Sequence, residues 1–446
     1  VIVESAIYEV KIYRTIKRWD VFMENNRSIS RKNWILIWIV GMAGQICWNV
    51  ENSWFNTFVY AKIAPDPSII AWMVGVSATA TTFATFLIGT WSDRIGRRKP
   101  FIAIGYILWG LFTIAFGSAQ FLPKNPILLV TVFIVATDAI MSFFGSMGND
   151  AGFNIWTTDI SNPQNRGKLG GALATMPVFA TIFGAVVSGI IIDAVDFFPF
   201  FILMGAVVML TGLLSIFTLD DSPRLKPKRD EKGYWHQFIS VFQIKTIMQN
   251  KELFWVLMIM VVYFIGFNVY FPYITIYFVN YLGFDYTATG MIQGIGLVVA
   301  SLFTIPAAKL IDRGKSPLVI LIAVAVNFVG LFVVTLSSKI PVILIGVLSV
   351  GIGYILTLQT LTAWNKNLYP ETQRGQFEGI KQIFFVAIPM LVGPWIATFI
   401  IKGYGVNGVP NESLFWFSAI INCFTLLPLV PAYKLHKARL QSINNK

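Results

Sequence analysis

Gly89-Thr90-Trp91-Ser92-Asp93-Arg94-Ile95-Gly96-Arg97-Arg98-Lys99-Pro100 is a short basic loop between two long apolar runs. Ala308-Lys309-Leu310-Ile311-Asp312-Arg313-Gly314-Lys315-Ser316-Pro317 repeats its outline in the second half of the chain, again between apolar runs. A second pair follows in the same order. Asn165-Arg166-Gly167-Lys168 opens the fifth apolar run, and Gln373-Arg374-Gly375-Gln376 opens the eleventh. Two matched landmarks in matched order predict a duplicated six-helix unit.

Working outward, the apolar runs fall at 34–60, 68–91, 100–121, 128–157, 168–193, 198–219, 252–281, 287–311, 317–337, 341–365, 376–402 and 413–433. Each reaches or exceeds the ~20 helical residues that cross a ~30 Å hydrocarbon core. The 446-residue chain is 56% hydrophobic and only 13% charged, against roughly 25% charged in soluble domains. Its mean hydropathy is +0.67. The expected fold is all-α, a polytopic membrane protein with twelve transmembrane helices in two pseudo-symmetric six-helix halves. Those halves span 34–219 and 252–433. A basic amphipathic leader (1–33), a linker with its own amphipathic helix (220–251) and a tail (434–446) complete the chain.

The net charge of +12 is topological. With the amino terminus inside, cytoplasmic segments carry 30 of the 34 Lys and Arg. Only Lys62, Lys124, Lys339 and Lys402 lie outside. This bias predicts a multi-pass protein of the cell membrane with both termini cytoplasmic. No basic-aromatic nucleic-acid module is present. Cys47 and Cys423 lie in apolar runs as buried small hydrophobes. His236 and His436 fall in polar flanks, so no metal cluster and no cofactor are expected.

Gly89-xxx-Asp93-Arg94-x-Gly96-Arg97-Arg98, between the second and third of twelve spans, resembles the loop motif of the major facilitator superfamily. The resemblance implies that fold, and a loop that latches the halves in one state. Gly89 would let another helix approach closely. Asp93 would accept from a helix amino terminus or pair with an arginine. Asp93, Arg94, Gly96 and Arg97, the repeat residues Asp312 and Arg313, and the matched Arg166 and Arg374 are therefore conformational candidates. Gly96-Arg97-Arg98-Lys99-Pro100-Phe101-Ile102 with Gly105, and Arg374 with Glu378-Gly379, also look like the glycoside-pentoside-hexuronide and sucrose symporters. In the melibiose carriers of that branch a helix-4 carboxylate precedes the basic loop, as Asp150 does here. Their two helix-2 aspartates are replaced by Thr81, Thr82 and Thr85, which departs from that type of sodium site.

Ionisable and amide groups inside spans are costly to bury, so each is a functional candidate. Gln45, Asn49, Asn52 and Asn56 share one face of the first helix. They either line a watery cavity, where amides suit sugar hydroxyls, or bond to other helices. Glu51, off that stripe, either binds a proton or substrate or reaches the outer headgroups. Asp138 and Asp150 on the fourth helix stand roughly 18 Å apart and serve separately. Burial favours the protonated carboxyl, so such groups can load and release a proton. Lys381 is the main intramembrane cation, with Glu378 as its nearer partner. Asn268, Tyr273, Gln293 and Trp364 are the substrate-binding candidates in the second half. Asn268 lies one turn before Pro272, which permits bending.

The pattern excludes other classes. No H-E-x-x-H, G-x-S-x-G or nucleotide-binding G-x-x-x-x-G-K-[ST] stretch occurs, so neither an enzyme nor an ATP-driven pump is expected. The reading is a secondary transporter of a small solute by alternating access. A proton- or cation-coupled sugar or glycoside symporter comes first. An exporter or uniporter of amphipathic molecules is the alternative, and a non-transporting sensor the last.

Overall fold

The computed structural model describes residues 29–162, 165–223, 225–227, 233–234, 250–369 and 380–444. Twelve helices are long and apolar enough to cross a membrane: α1 Arg31–Ile63, α2 Pro67–Ile95, α3 Lys99–Phe121, α4 Ile127–Asp159, α5 Lys168–Val195, α6 Phe197–Thr218, α7 Lys251–Tyr281, α8 Tyr286–Asp312, α9 Ser316–Val333, α10 Ile340–Leu368, α11 Ile380–Tyr404 and α12 Glu412–Ser442. The expected twelve-helix fold is met. The leader, His236, most of the linker helix, Arg374, Glu378 and Gly379 lie outside the described residues, as does the side chain of Arg166.

Local chemistry sets the helix ends. Asp66 caps α2, accepting from Ser68 N–H at 2.9 Å, and Pro67 takes the first helical position, where its missing N–H costs nothing. Gly96 ends α2 with φ +68°, a conformation a side chain would strain. Asn250, Asp285 and Asn411 cap α7, α8 and α12 in the same way.

Large apolar side chains such as Leu128, Phe217, Leu302, Phe399 and Leu427 stay exposed. In water this would be a defect; here they face lipid. Inside each half, small residues let backbones close up. A Cβ on Gly105 of α3 would sit 2.6 Å from Gly148 Cα of α4, and one on Gly346 of α10 would sit 2.6 Å from Val334 N beside α9.

The last helix differs from expectation. The apolar run ends near residue 433, but α12 continues to Ser442, because Lys434–Arg439 contains no helix breaker and one face has buried partners. His436, read as part of a polar flank, is therefore 5% exposed within a helix.

The halves meet at the helix ends opposite the Gly89–Pro100 loop. Tyr273 of α7 donates to Pro67 O at 3.0 Å, and Thr398 of α11 donates to the same carbonyl at 3.1 Å. Tyr60 of α1 donates to Gly408 O at 3.0 Å. Asp193 of α5 reaches across to the first turn of α8, accepting from Thr287 N–H at 2.7 Å and Tyr286 N–H at 3.3 Å.

Candidate functional site

The amino half carries the ionisable groups. Glu51 starts a π-helical turn of α1 (Glu51–Phe55), and Asp150 sits in another in α4 (Asn149–Phe153). Such wide turns recur at functional sites because they displace side chains from the regular helix face. Glu51 Oε1 accepts from Ser142 Oγ at 3.0 Å. Asp150 Oδ2 accepts from Ser146 Oγ at 2.6 Å, and its Oδ1 from Asn149 Nδ2 at 3.2 Å. Asp138 is 2% exposed beside Ser77, and among the described residues neither its Oδ1 nor Glu51 Oε2 has a hydrogen-bond partner. Counted along ideal helices, Glu51 and Asp138 both lie about 30 Å from the ends at the Gly89–Pro100 face, whereas Asp150 lies about 13 Å from it. The arrangement can hold protons on carboxyls that hydroxyls steady.

The amide stripe of α1 separates on folding. Asn49 Nδ2 donates to Thr181 Oγ1 of α5 at 3.3 Å. Asn56 is buried with its Oδ1 unpartnered. Gln45 is half-buried, and Asn52 is exposed at mid-span with Nδ2 donating to Trp48 O at 2.7 Å. An exposed amide at that depth on a central helix needs water rather than lipid.

In the carboxyl half, Asn268 turns back to donate to Phe264 O at 2.8 Å and packs against Gly393. Gln293 donates to Thr275 Oγ1 at 2.9 Å. Tyr273 joins the contact between halves already described. Trp364 is 1% exposed and donates to Glu252 Oε1 at 2.8 Å. Between these, Phe267 stacks on Tyr354 at 4.6 Å, and Phe264 meets Phe385 edge-on at 4.5 Å. This gives α7, α10 and α11 a shared aromatic surface.

The loop motif is organised by a residue absent from the list of conformational candidates. Arg98 is 3% exposed. Its guanidinium donates to Asp93 and Ser92 at the end of α2 and to Asp159 Oδ2 of α4 at 3.0 Å. Asp221 Oδ1 accepts from the Arg98 and Lys99 N–H groups at 2.7 and 3.0 Å, capping α3 from beyond α6. Asp93 thus pairs with an arginine of its own half. Next to it, a hydrogen bond from Lys32 holds the Asp220 carboxyl below the usual range, and Trp156 donates to Asp220 O.

The other loop residues are peripheral. Arg94 lies over the Tyr234 ring, Gly96 abuts Pro227, and Arg97 is exposed. Among the described residues nothing lies within 4 Å of a Cβ placed on Gly89; residues 370–379, which precede α11, lie outside them. Asp312 and Arg313 are exposed. The matching hub of the carboxyl half forms instead on Glu252, which accepts from Trp364, Arg439 and the His436 ring, while His436 Nε2 lies 2.9 Å from Gly314 O. Lys381 is half-buried at the start of α11.

Two six-helix halves that meet at one end, the amino half with three carboxyls inside its spans, define a polytopic membrane fold. A profile described as Major Facilitator Superfamily matches residues 34–380, and the chain belongs to that family. It is 26% identical over 196 residues to the human "MFS-type transporter SLC18B1", covering 44% of this chain and 41% of that protein. It is 27% identical over 173 residues to the "Ascochitine biosynthesis cluster MFS transporter" of Didymella fabae, covering 36% and 30%. The match thus spans under half the length of these relatives.

Solved structures agree in fold at much lower identity. The nucleoside transporter NupG superimposes with TM-score 0.68 at 12% identity, covering 90% of this chain and 99% of that one. An inward-facing, occupied bacterial homolog of the human lysosomal transporter Spinster gives 0.70 at 12%, covering 92% and 98%. A D-xylose-proton symporter gives 0.63 at 16%, covering 88% and 97%.

Proposed function

We propose that this transporter is proton-coupled and carries a small polyhydroxylated solute, a sugar or glycoside, by alternating access. The observation that carries the coupling is the set of three carboxyls, Glu51, Asp138 and Asp150, inside the amino half, with Glu51 and Asp150 held by serine hydroxyls and an amide. A charge there is costly and a proton relieves the cost, so loading and unloading follow the pH on the open side. Amides at Gln45, Asn49 and Asn52 supply the donors and acceptors that hydroxylated solutes need. The xylose-proton symporter and the nucleoside transporter among the structural neighbours are in keeping with such a solute.

The Lys and Arg bias puts the Gly89–Pro100 face in the cytoplasm of a cell-membrane protein, both termini included. On that reading the halves, 34–219 and 252–433, close towards the outside and part towards the cytoplasm. The aromatic surface of Phe264, Phe267, Tyr354 and Phe385 supports a second reading, export of amphipathic molecules.

Uptake of labelled D-xylose, sucrose and uridine into proteoliposomes, with and without an inward proton gradient, tests this. We expect gradient-stimulated uptake of at least one solute, reduced at least tenfold by Asp138→Asn or Asp150→Asn, with exchange at equal pH retained. Uptake indifferent to the gradient in folded wild-type protein overturns coupling. Coupled flux of amphipathic compounds alone overturns the sugar reading.

A further inference from the structure

The geometry points to a proton relay along one face of α4, in which Ser142 and Ser146 hand protons between Asp150 and the Glu51–Asp138 pair. This rests on the proton-coupled reading and adds the path. Asp138, Ser142, Ser146 and Asp150 follow one another at four-residue spacing, so each stands one turn above the last. The end groups are about 18 Å apart on an ideal helix, too far for direct transfer, but Ser146 meets Asp150 directly at 2.6 Å and Ser142 meets Glu51 at 3.0 Å, so the gap to bridge is the rise of about 6 Å between the two serines. One water making two hydrogen bonds of about 2.8 Å spans such a gap.

The serines behave differently from other hydroxyls in the spans. Thr82, Thr113, Ser215, Thr357, Thr360 and Ser418 donate to the carbonyl four residues earlier on their own helix, the usual fate of a buried helix hydroxyl. Ser142 and Ser146 are fully buried yet turn their protons towards carboxylates, Ser142 to Glu51 and Ser146 to Asp150. Thr85 of α2 lies 3.4 Å from Ser146 Oγ, a second hydroxyl on the same rung. At the far end Asp138 Oδ1 and Glu51 Oε2 are buried and unpartnered, so acceptors wait where the line stops. Asp150, nearest the Gly89–Pro100 face, exchanges protons with that side, and the relay runs in either direction, releasing them there when the gradient is inward.

The transfer balances. A proton added to the Asp150 carboxylate passes to Ser146 Oγ as the proton Ser146 carries moves on through the bridging water. Ser142 repeats the exchange, and Glu51 or Asp138 gains one proton. Both serines end neutral, and the only net change is one carboxylate protonated at the far end.

The test needs no solute, because the proton is the probe. Purified full-length protein in detergent receives a flash-released proton jump, and the infrared carbonyl band of protonated carboxyl groups is followed in time. We expect Glu51→Gln and Asp138→Asn each to remove part of the wild-type band. The Ser142→Ala/Ser146→Ala variant should keep that band's final amplitude while its rise slows at least tenfold, and Ser→Thr at both positions should restore the rate. An unchanged rate in the alanine variant overturns the relay and leaves coupling standing. A wild-type band that neither Glu51→Gln nor Asp138→Asn diminishes overturns coupling and the relay together.

Discussion

Helices α4 and α10 hold the same place in the two halves, and they divide the chemistry between them. With Trp156 set against Trp364, Gly145 falls on Gly353, both pressed against a neighbouring helix. In that register Asp138, Ser142, Ser146 and Asp150 of α4 face Gly346, Val350, Tyr354 and Leu358 of α10. Each of these four polar positions is matched by an apolar or aromatic residue in the carboxyl half. The helices also end differently. Near the close of α4, Asp159 binds a buried cation, Arg98, whereas near the close of α10 Trp364 binds a buried anion, Glu252. The two halves keep one backbone plan but differ in chemistry, and on the proposed reading one takes up protons while the other presents aromatic surface.

The comparison breaks first at the hubs. Arg98→Ala strands Asp93 and Asp159, and Glu252→Gln strands Arg439; these partners keep some contact with water, so each loss costs less than the ~3–5 kcal/mol of a fully buried pair. Both variants should melt at lower temperature in detergent. A change in only one would show that the hubs are not equivalent.

A smaller effect is expected at Tyr354. Removing its ring with Tyr354→Ala should raise the KM for the carried solute about tenfold, equal to about 1.4 kcal/mol. The dependence of uptake on the proton gradient should stay as in wild type. A changed gradient dependence would erase the division between α4 and α10.

The smallest concerns the seam. Asp193→Asn weakens a helix cap made across the halves, worth about 1 kcal/mol, and should shift the population about fivefold towards forms open at that end. Spin labels at the exposed Ala61 and Val406 should then show a longer distance component, and an unchanged distribution would remove Asp193 from the closure.

Much of this was legible in the residues, and unevenly. Twelve runs of sufficient length leave lipid as the only solvent, so the helices were readable one by one. Glu51, Asp138 and Asp150 stood out because ionisable groups in spans are few. Arg98 did not, since Arg97-Arg98-Lys99 is explained equally well by positive-inside charge. Its partners Asp159 and Asp221 lie 61 and 123 residues away, a pairing that only folding reveals. Asn268 and Trp364 looked free because a sequence shows a polar group without showing where it is used. One amide folds back on Phe264 O, and one indole is taken by Glu252. Gly89 is read through a loop motif, and no described residue comes within 4 Å of a Cβ placed on it.

The carbonyl of Pro67 receives two hydroxyls from the other half, which makes the first turn of α2 a fulcrum. From there α2 extends 29 residues as one unbroken rod, an arm about 44 Å long. Tilting that arm by about 10° sweeps its far tip through about 8 Å. On the proposed alternating-access reading, a small roll at Pro67 is thus geared up into a passage at the Gly89–Pro100 end wider than a single sugar ring.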